Sequence, residues 1–314
     1  MKKILKITGI VILLSIVPLI VIPWVITNGM TESHIDFNKE WTGTEYGLQA
    51  NHFFTYTADS VKISAYEVEV ENPKAVVMCI SGIHGPSATI YFGHAKLFRE
   101  NGYATVMLDM RAHGKSEGNK IFVGYKEYLD VNAIVDHLKK DDRYKDLPLV
   151  VMGVSMGAAV AINAIGENKH IDGLISLSAY SSWEDNFLDN MALQAPRSLS
   201  TLERPFVHLV SFFKYGKKSL SVKPVKEIEK LGDRPALLIH SKEDSQVPVS
   251  NFHRLLRKAP SQVETFLTEG DKHFITENFQ TPWKDAEYSA LLLGFLNTHF
   301  GNTLLDQPAP VAGE

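Results

Sequence analysis

The stretch Leu149-Val150-Val151-Met152-Gly153-Val154-Ser155-Met156-Gly157-Ala158-Ala159-Val160-Ala161 decides the fold. Its first four residues are a short apolar run of the kind that forms a buried strand. Its last residues are small, as in a helix packed closely on a sheet. Between them lies Gly-x-Ser-x-Gly. A turn this sharp puts the serine in strained backbone geometry, and side chains at the glycine positions would collide with the neighbouring strand and helix. The hydroxyl then stands at a helix N-terminus, where the dipole favours a developing anion. In a chain this long the five-residue pattern alone arises by chance about one time in ten. The strand before it and the helix after it make Ser155 a nucleophile candidate.

Outward from this turn the same alternation repeats. Ala75–Ile80, Ala104–Leu108, Ile171–Leu177, Ala236–Ile239 and Thr265–Leu267 read as further strands. Helical patterns fall around Tyr91–Glu100, on Val131, Ile134, Val135 and Leu138, over Met156–Ile165, and around Leu292, Phe295 and Leu296. Strands apolar on both faces that alternate with helices predict an α/β fold with a mostly parallel β-sheet flanked by helices. The interval 183–233 breaks the alternation with apolar, helical residues such as Phe206, Leu209 and Phe213, and is expected to be a cap insertion. Residues 36–300 would then be one domain, and 301–314, with Pro308 and Pro310, a flexible tail.

A serine nucleophile needs a base, and the base an orienting acid. Asp244 follows the strand Pro235–His240, and His273 follows Glu264–Leu267, so both belong to loops at strand ends. The order Ser155, Asp244, His273 is that of a nucleophile-elbow hydrolase. Of the 12 histidines, His273 alone combines a post-strand loop with a position downstream of the acid. Glu243 and Asp271 are the rival acids. His113, in a turn, and His240, at a strand end, read as structural. The oxyanion donors would be the amide of Met156, after the nucleophile, and one from the loop Ser81-Gly82-Ile83-His84-Gly85-Pro86.

On these residues the chain resembles the α/β-hydrolase fold serine hydrolases, nearest the branch of serine aminopeptidase-like and monoacylglycerol lipase-like proteins. The resemblance spans about residues 45–300. It rests on Gly153–Gly157, on Leu108-Asp109-Met110-Arg111-Ala112-His113-Gly114-Lys115-Ser116, on His240–Pro248 and on Gly270–His273. The family places His-Gly directly after the third strand, where this chain has Ser81-Gly82, so the resemblance makes Ile83 the second oxyanion donor. The later His84-Gly85 would give that role to Pro86, which has no N–H. The resemblance implies a Ser-His-Asp hydrolase of a small acyl ester or amide, through an acyl-enzyme and without a cofactor. A serine aminopeptidase-like peptidase is the alternative, as is a catalytically silent binding or scaffold protein of the same fold.

Composition narrows the rest. The chain has 314 residues, 45% of them hydrophobic, enough for a large core. Lys plus Arg number 32 and Asp plus Glu 36, a net charge of −4, which removes a sequence-wide electrostatic case for nucleic-acid binding. The single cysteine, Cys79, excludes a disulfide framework and multi-cysteine metal sites. Gly114-Lys115-Ser116 is not a phosphate loop, because Asp109 stands where its first glycine would be.

Residues 1–30 are expected to be a signal-anchor or a signal peptide. Lys2, Lys3 and Lys6 precede an uncharged run, Ile7–Ile26, whose 20 residues would span about 30 Å as a helix. Trp24 suits the membrane interface, and the lysines put the N-terminus in the cytoplasm. The catalytic domain is then expected to be extracytoplasmic on a single transmembrane helix, or secreted if the segment is cleaved.

Overall fold

The computed structural model describes residues 2–301, and side chains from Ile16 on. The tail predicted over 301–314 lies outside the described residues, apart from Gly301.

Among the described residues, eight strands form one sheet. They are β1 (Asn51–Tyr56), β2 (Lys62–Val68), β3 (Val76–Ile80), β4 (Ala104–Asp109), β5 (Leu149–Val154), β6 (Gly173–Leu177), β7 (Ala236–Ser241) and β8 (Glu264–Thr268). Their order is β1-β2-β4-β3-β5-β6-β7-β8. The pairs β1–β2 and β2–β4 are antiparallel, and the other pairs are parallel. Every residue of β3 through β7 is buried. Their period of two divides them between two cores. Val76, Met78 and Ile80 of β3 point into one, and Val77 and Cys79 into the other.

Helix α1 (Lys2–Thr31) precedes the sheet. Helices α2 (Phe92–Glu100), α3 (Tyr128–Leu138) and α4 (Met156–Glu167) follow β3, β4 and β5. The β6–β7 interval holds α5 (Trp183–Gln194), α6 (Arg197–Tyr215), α7 (Lys218–Ser221) and α8 (Pro224–Glu227). Then come α9 (Ser250–Leu256) and α10 (Ala286–Phe300). The first core joins the sheet to α3 and α4, and the second joins it to α2 and α10.

Three findings differ from the sequence reading or add to it. First, β1 was not expected. It is a half-exposed edge strand of mixed polarity, Asn-His-Phe-Phe-Thr-Tyr, held by pairing with β2 and too short for its alternation to stand out. Second, Arg111 is a structural centre. Its guanidinium is buried between Asp130 of α3 at 2.7 Å and Asp59 of the β1–β2 turn at 2.8 Å, tying three segments together.

The third concerns the expected transmembrane helix. Among the described residues no helix is long and apolar enough to cross a membrane. The apolar run before Ile16 lies outside the residues whose side chains are described. The second half of α1 packs on α6, so it does not stand apart from the hydrolase domain. Pro23, Thr27 and Thr31 recur at intervals of four and are buried. Lys214 of α6 donates to Asn28 Oδ1 and Glu32 Oε1, both at 2.8 Å. The Thr31 carbonyl accepts the Ile121 amide at 2.8 Å.

Candidate active site

The turn after β5 is as tight as its sequence demands. A Cβ on Gly153 would lie 2.3 Å from the Gly157 carbonyl, and one on Gly157 would lie 2.3 Å from the Ile80 carbonyl oxygen. No side chain fits at either position. Ser155 adopts φ 57°, ψ −123°, a conformation that L-residues rarely take, and its amide donates to the Leu177 carbonyl at 2.9 Å. The strain aims its side chain out of the turn and into a cavity of about 610 Å³. Met156, the first residue of α4, and Ile83 line the same cavity. The Ile83 loop is close by: a Cβ on Gly82 would touch the Ser155 Cβ at 3.5 Å.

That loop is held from three sides. Tyr91 Oη donates to the Ile80 carbonyl at 2.9 Å, at the end of β3. His113 Nε2 bonds the Ile83 carbonyl at 2.5 Å, while its Nδ1 lies 2.8 Å from the Arg111 carbonyl. His84 Nε2 bonds the Met30 carbonyl at 2.8 Å, linking the loop to the end of α1. His113 therefore works as a brace. Burial lowers its pKa, against the pull of the two carbonyls.

Asp244 and His273 meet as expected. His273 Nδ1 lies 2.9 Å from Asp244 Oδ2 and 3.1 Å from Oδ1. Asp244 Oδ1 also accepts the amides of Gln246 at 2.9 Å and Val247 at 2.8 Å. Burial alone would raise the pKa of this carboxyl. The His273 hydrogen bond and charge, with the Val247 amide, outweigh it and hold the carboxyl below its usual range. Ionised Asp244 accepts a hydrogen bond from His273 Nδ1–H, which keeps the proton on Nδ1 and leaves Nε2 as the basic nitrogen.

The rival acids are engaged elsewhere: Glu243 accepts the Gly270 amide, and Asp271 accepts the Ser245 amide at 3.0 Å. His240 bonds the Val247 carbonyl at 2.8 Å, and Asp109 accepts the Ala88 amide at 2.8 Å. Burial pushes the Asp109 carboxyl up to about 6.

The His273 loop runs back across the strand ends. Phe279 packs on His94 with ring centroids 4.5 Å apart, and a Cβ on Gly93 would lie 1.9 Å from the Gln280 carbonyl oxygen. The loop after β8 thus returns to α2, which packs on β4. Among the described residues, however, no hydrogen bond joins Ser155 to His273. The structure pairs the acid with the base and sets the serine beside both proposed oxyanion donors, as two separate groups.

The family described as serine aminopeptidase, S33, matches residues 71–227, half of the chain. The chain belongs to that family. This S33-family α/β-hydrolase is similar to several named proteins. The uncharacterized protein YqkD of Bacillus subtilis is 26% identical over 250 residues, 76% of this chain and 79% of YqkD. Phospholipase YtpA, also of Bacillus subtilis, is 32% identical over 115 residues, 34% of this chain and 41% of its own. Among solved structures, the esterase PF2001 of Pyrococcus furiosus superposes with a TM-score of 0.68 at 25% identity, covering 86% of this chain and 99% of the esterase.

Sequence reasoning missed part of the cavity wall of this S33 hydrolase. Ile22, Ile26 and Met30 of α1 line it, beside Trp183 and Phe187 of α5, which fall in the interval 183–233 expected as a cap. The signal was present: the α1 residues recur at i, i+4 and i+8, one helix face. It was hidden because the run Ile16–Ile26 is apolar on every side of the helix and so reads as a membrane span.

Proposed function

We propose that this protein is a serine hydrolase of carboxylic esters with a small acyl substrate. Ser155 Oγ attacks the ester carbonyl while His273 Nε2 takes its proton. The tetrahedral oxyanion is held by the amides of Met156 and Ile83. Its collapse breaks the ester C–O bond, and His273 returns the proton to the leaving alcohol. Water, activated by the same imidazole, then releases the acid and restores Ser155. Asp244 orients the imidazole and stabilises its charged form. The Ser155–His273 hydrogen bond forms in the substrate complex, since such bonds commonly tighten only on binding.

The observation that supports this reading is the strained serine opening into a cavity, with a buried Asp–His pair whose carboxylate accepts the amides of Gln246 and Val247, two residues of the cavity's lining. The esterase and phospholipase names of similar proteins favour an ester over a peptide. The proposal also holds that the N-terminal segment anchors the protein, with its catalytic domain outside the cytoplasm. The uncharged run behind Lys2, Lys3 and Lys6 supports that part.

The test is turnover of a short p-nitrophenyl ester, beside an aminoacyl amide, with labelling by a fluorophosphonate. Wild-type protein is expected to hydrolyse the ester and to be labelled at Ser155. Ser155→Ala should lower ester turnover by at least about a thousandfold. Undiminished turnover in that variant would remove Ser155 from the mechanism. A folded wild-type protein that neither labels nor turns over would be a scaffold.

A further inference from the structure

The wall of the cavity opposite the strand ends is not built only by the segment between β6 and β7. Three side chains of α1 contribute to it: Ile22, Ile26 and Met30. Their spacing of four puts them on one face of the helix, and from Ile22 to Met30 they rise about 12 Å along its axis. Trp183, Phe187 and Met191 of α5, also at spacings of four, line the cavity too. Ser155, Met156 and Ile83 belong to the same cavity. Two helices thus put apolar rows into the space that the Ser155 side chain enters.

The α1 row is fixed and is not a passing contact. Its last turn is tied to the body by Lys214, through Asn28 and Glu32, and by His84, through the Met30 carbonyl at 2.8 Å. His84 sits in the loop that carries Ile83. Ile22, Ile26 and Met30 all lie before residue 71, where the family match begins.

We infer that the second half of α1 is a substrate-binding element: Ile22, Ile26 and Met30 form an acyl-chain subsite that selects esters of an extended, unbranched acyl chain. The inference rests on the ester-hydrolase reading and names its substrate class. An acyl chain whose carbonyl sits at Ser155 finds no charged side chain along the α1 row, and each methylene it lays there leaves water. The polar residues of the lining, Asn186, Asn190, Gln194, Glu203 and Gln246, come from α5, α6 and the loop after β7 and none from α1, so they are left for the alcohol portion. The helix that precedes the family domain therefore sets chain length for a reaction the domain performs.

The experiment uses the full chain in detergent micelles and compares kcat/KM for p-nitrophenyl acetate and p-nitrophenyl decanoate. Ile26→Trp fills the subsite. It is expected to lower the decanoate-to-acetate ratio of kcat/KM at least tenfold, mainly through KM. Ile22→Ala, which enlarges the subsite without crowding it, should move the preferred ester to longer chains. Val25→Trp, on an exposed position outside the cavity, should keep the wild-type ratio. An unchanged ratio in both Ile26→Trp and Ile22→Ala, with fluorophosphonate labelling intact, would overturn the subsite and leave the hydrolase standing. If wild type and Ser155→Ala hydrolyse both esters equally, the hydrolase reading fails and the subsite with it.

Discussion

At the residue scale, three carboxylates within one loop pair had to be told apart. Glu243, Asp244 and Asp271 are neighbours in sequence or across the β7 and β8 loops, and chain order alone admits each as the acid. Direction separates them, and spacing along a loop does not encode direction. Glu243 and Asp271 cross-link the two loops through backbone amides, whereas Asp244 faces the imidazole at 2.9 Å. Asp244→Asn keeps the shape but loses the charge and reverses one hydrogen bond, favouring the wrong tautomer. It should lower kcat by about a thousandfold or more, with KM little changed. Glu243→Gln and Asp271→Asn should stay within about tenfold of wild type, because each amide partner keeps an oxygen acceptor. Steady-state kinetics of the three variants decides the assignment. A loss at Glu243→Gln equal to that at Asp244→Asn would show that the loop geometry, and not the imidazole contact, sets the rate.

At the element scale, the parallel strands and α4 were legible because burial on both faces leaves an unbroken apolar run bounded by turns. The elbow was legible because steric exclusion at Gly153 and Gly157 admits no other residue. Less could be read where tertiary contact decides. β1 is a strand because β2 pairs with it. The second half of α1 belongs to the domain because Lys214, some 180 positions away, meets Asn28 and Glu32. Lys214 is nearly fully buried, and its charge-assisted hydrogen bonds are worth about 1.5–3 kcal/mol each. Lys214→Met keeps much of the apolar stem and removes both bonds, while Lys120 still pairs with Glu32 at 2.8 Å. The amides of residues 26–32 should then exchange hydrogen at least about tenfold faster, since about 1.4 kcal/mol is a factor of ten. Sheet amides such as those of β5 should keep their protection. Mass-spectrometric exchange gives both readings. Unchanged rates over 26–32 would mean that apolar packing alone docks α1 on α6.

At the scale of the whole molecule, the question is where the exposed apolar surface goes. Of the eighteen large hydrophobic side chains that stand exposed among the described residues, twelve belong to α1 and α6, and two of these, Ile22 and Ile26, also line the open cavity. They include Ile16, Val17, Val21 and Val25 on the first, and Leu202, Leu209 and Phe213 on the second. Such concentration marks a surface that meets another surface, lipid or protein. The two helices pack on each other, and α1 runs back to the lysines at the chain start. If the proposed anchor is correct, the protein should stay in the membrane fraction through high-salt and alkaline carbonate washes and leave it only with detergent. Protease added from the extracytoplasmic side should reach the catalytic domain. Leu13→Arg puts a charge into the uncharged run at a cost of about 3 kcal/mol. That should shift the partition toward the soluble fraction by roughly a hundredfold, because each 1.4 kcal/mol is a factor of ten. Wild-type protein released by carbonate would instead make the apolar faces of α1 and α6 a surface for peripheral contact. A domain sheltered from external protease would reverse the orientation that Lys2, Lys3 and Lys6 imply.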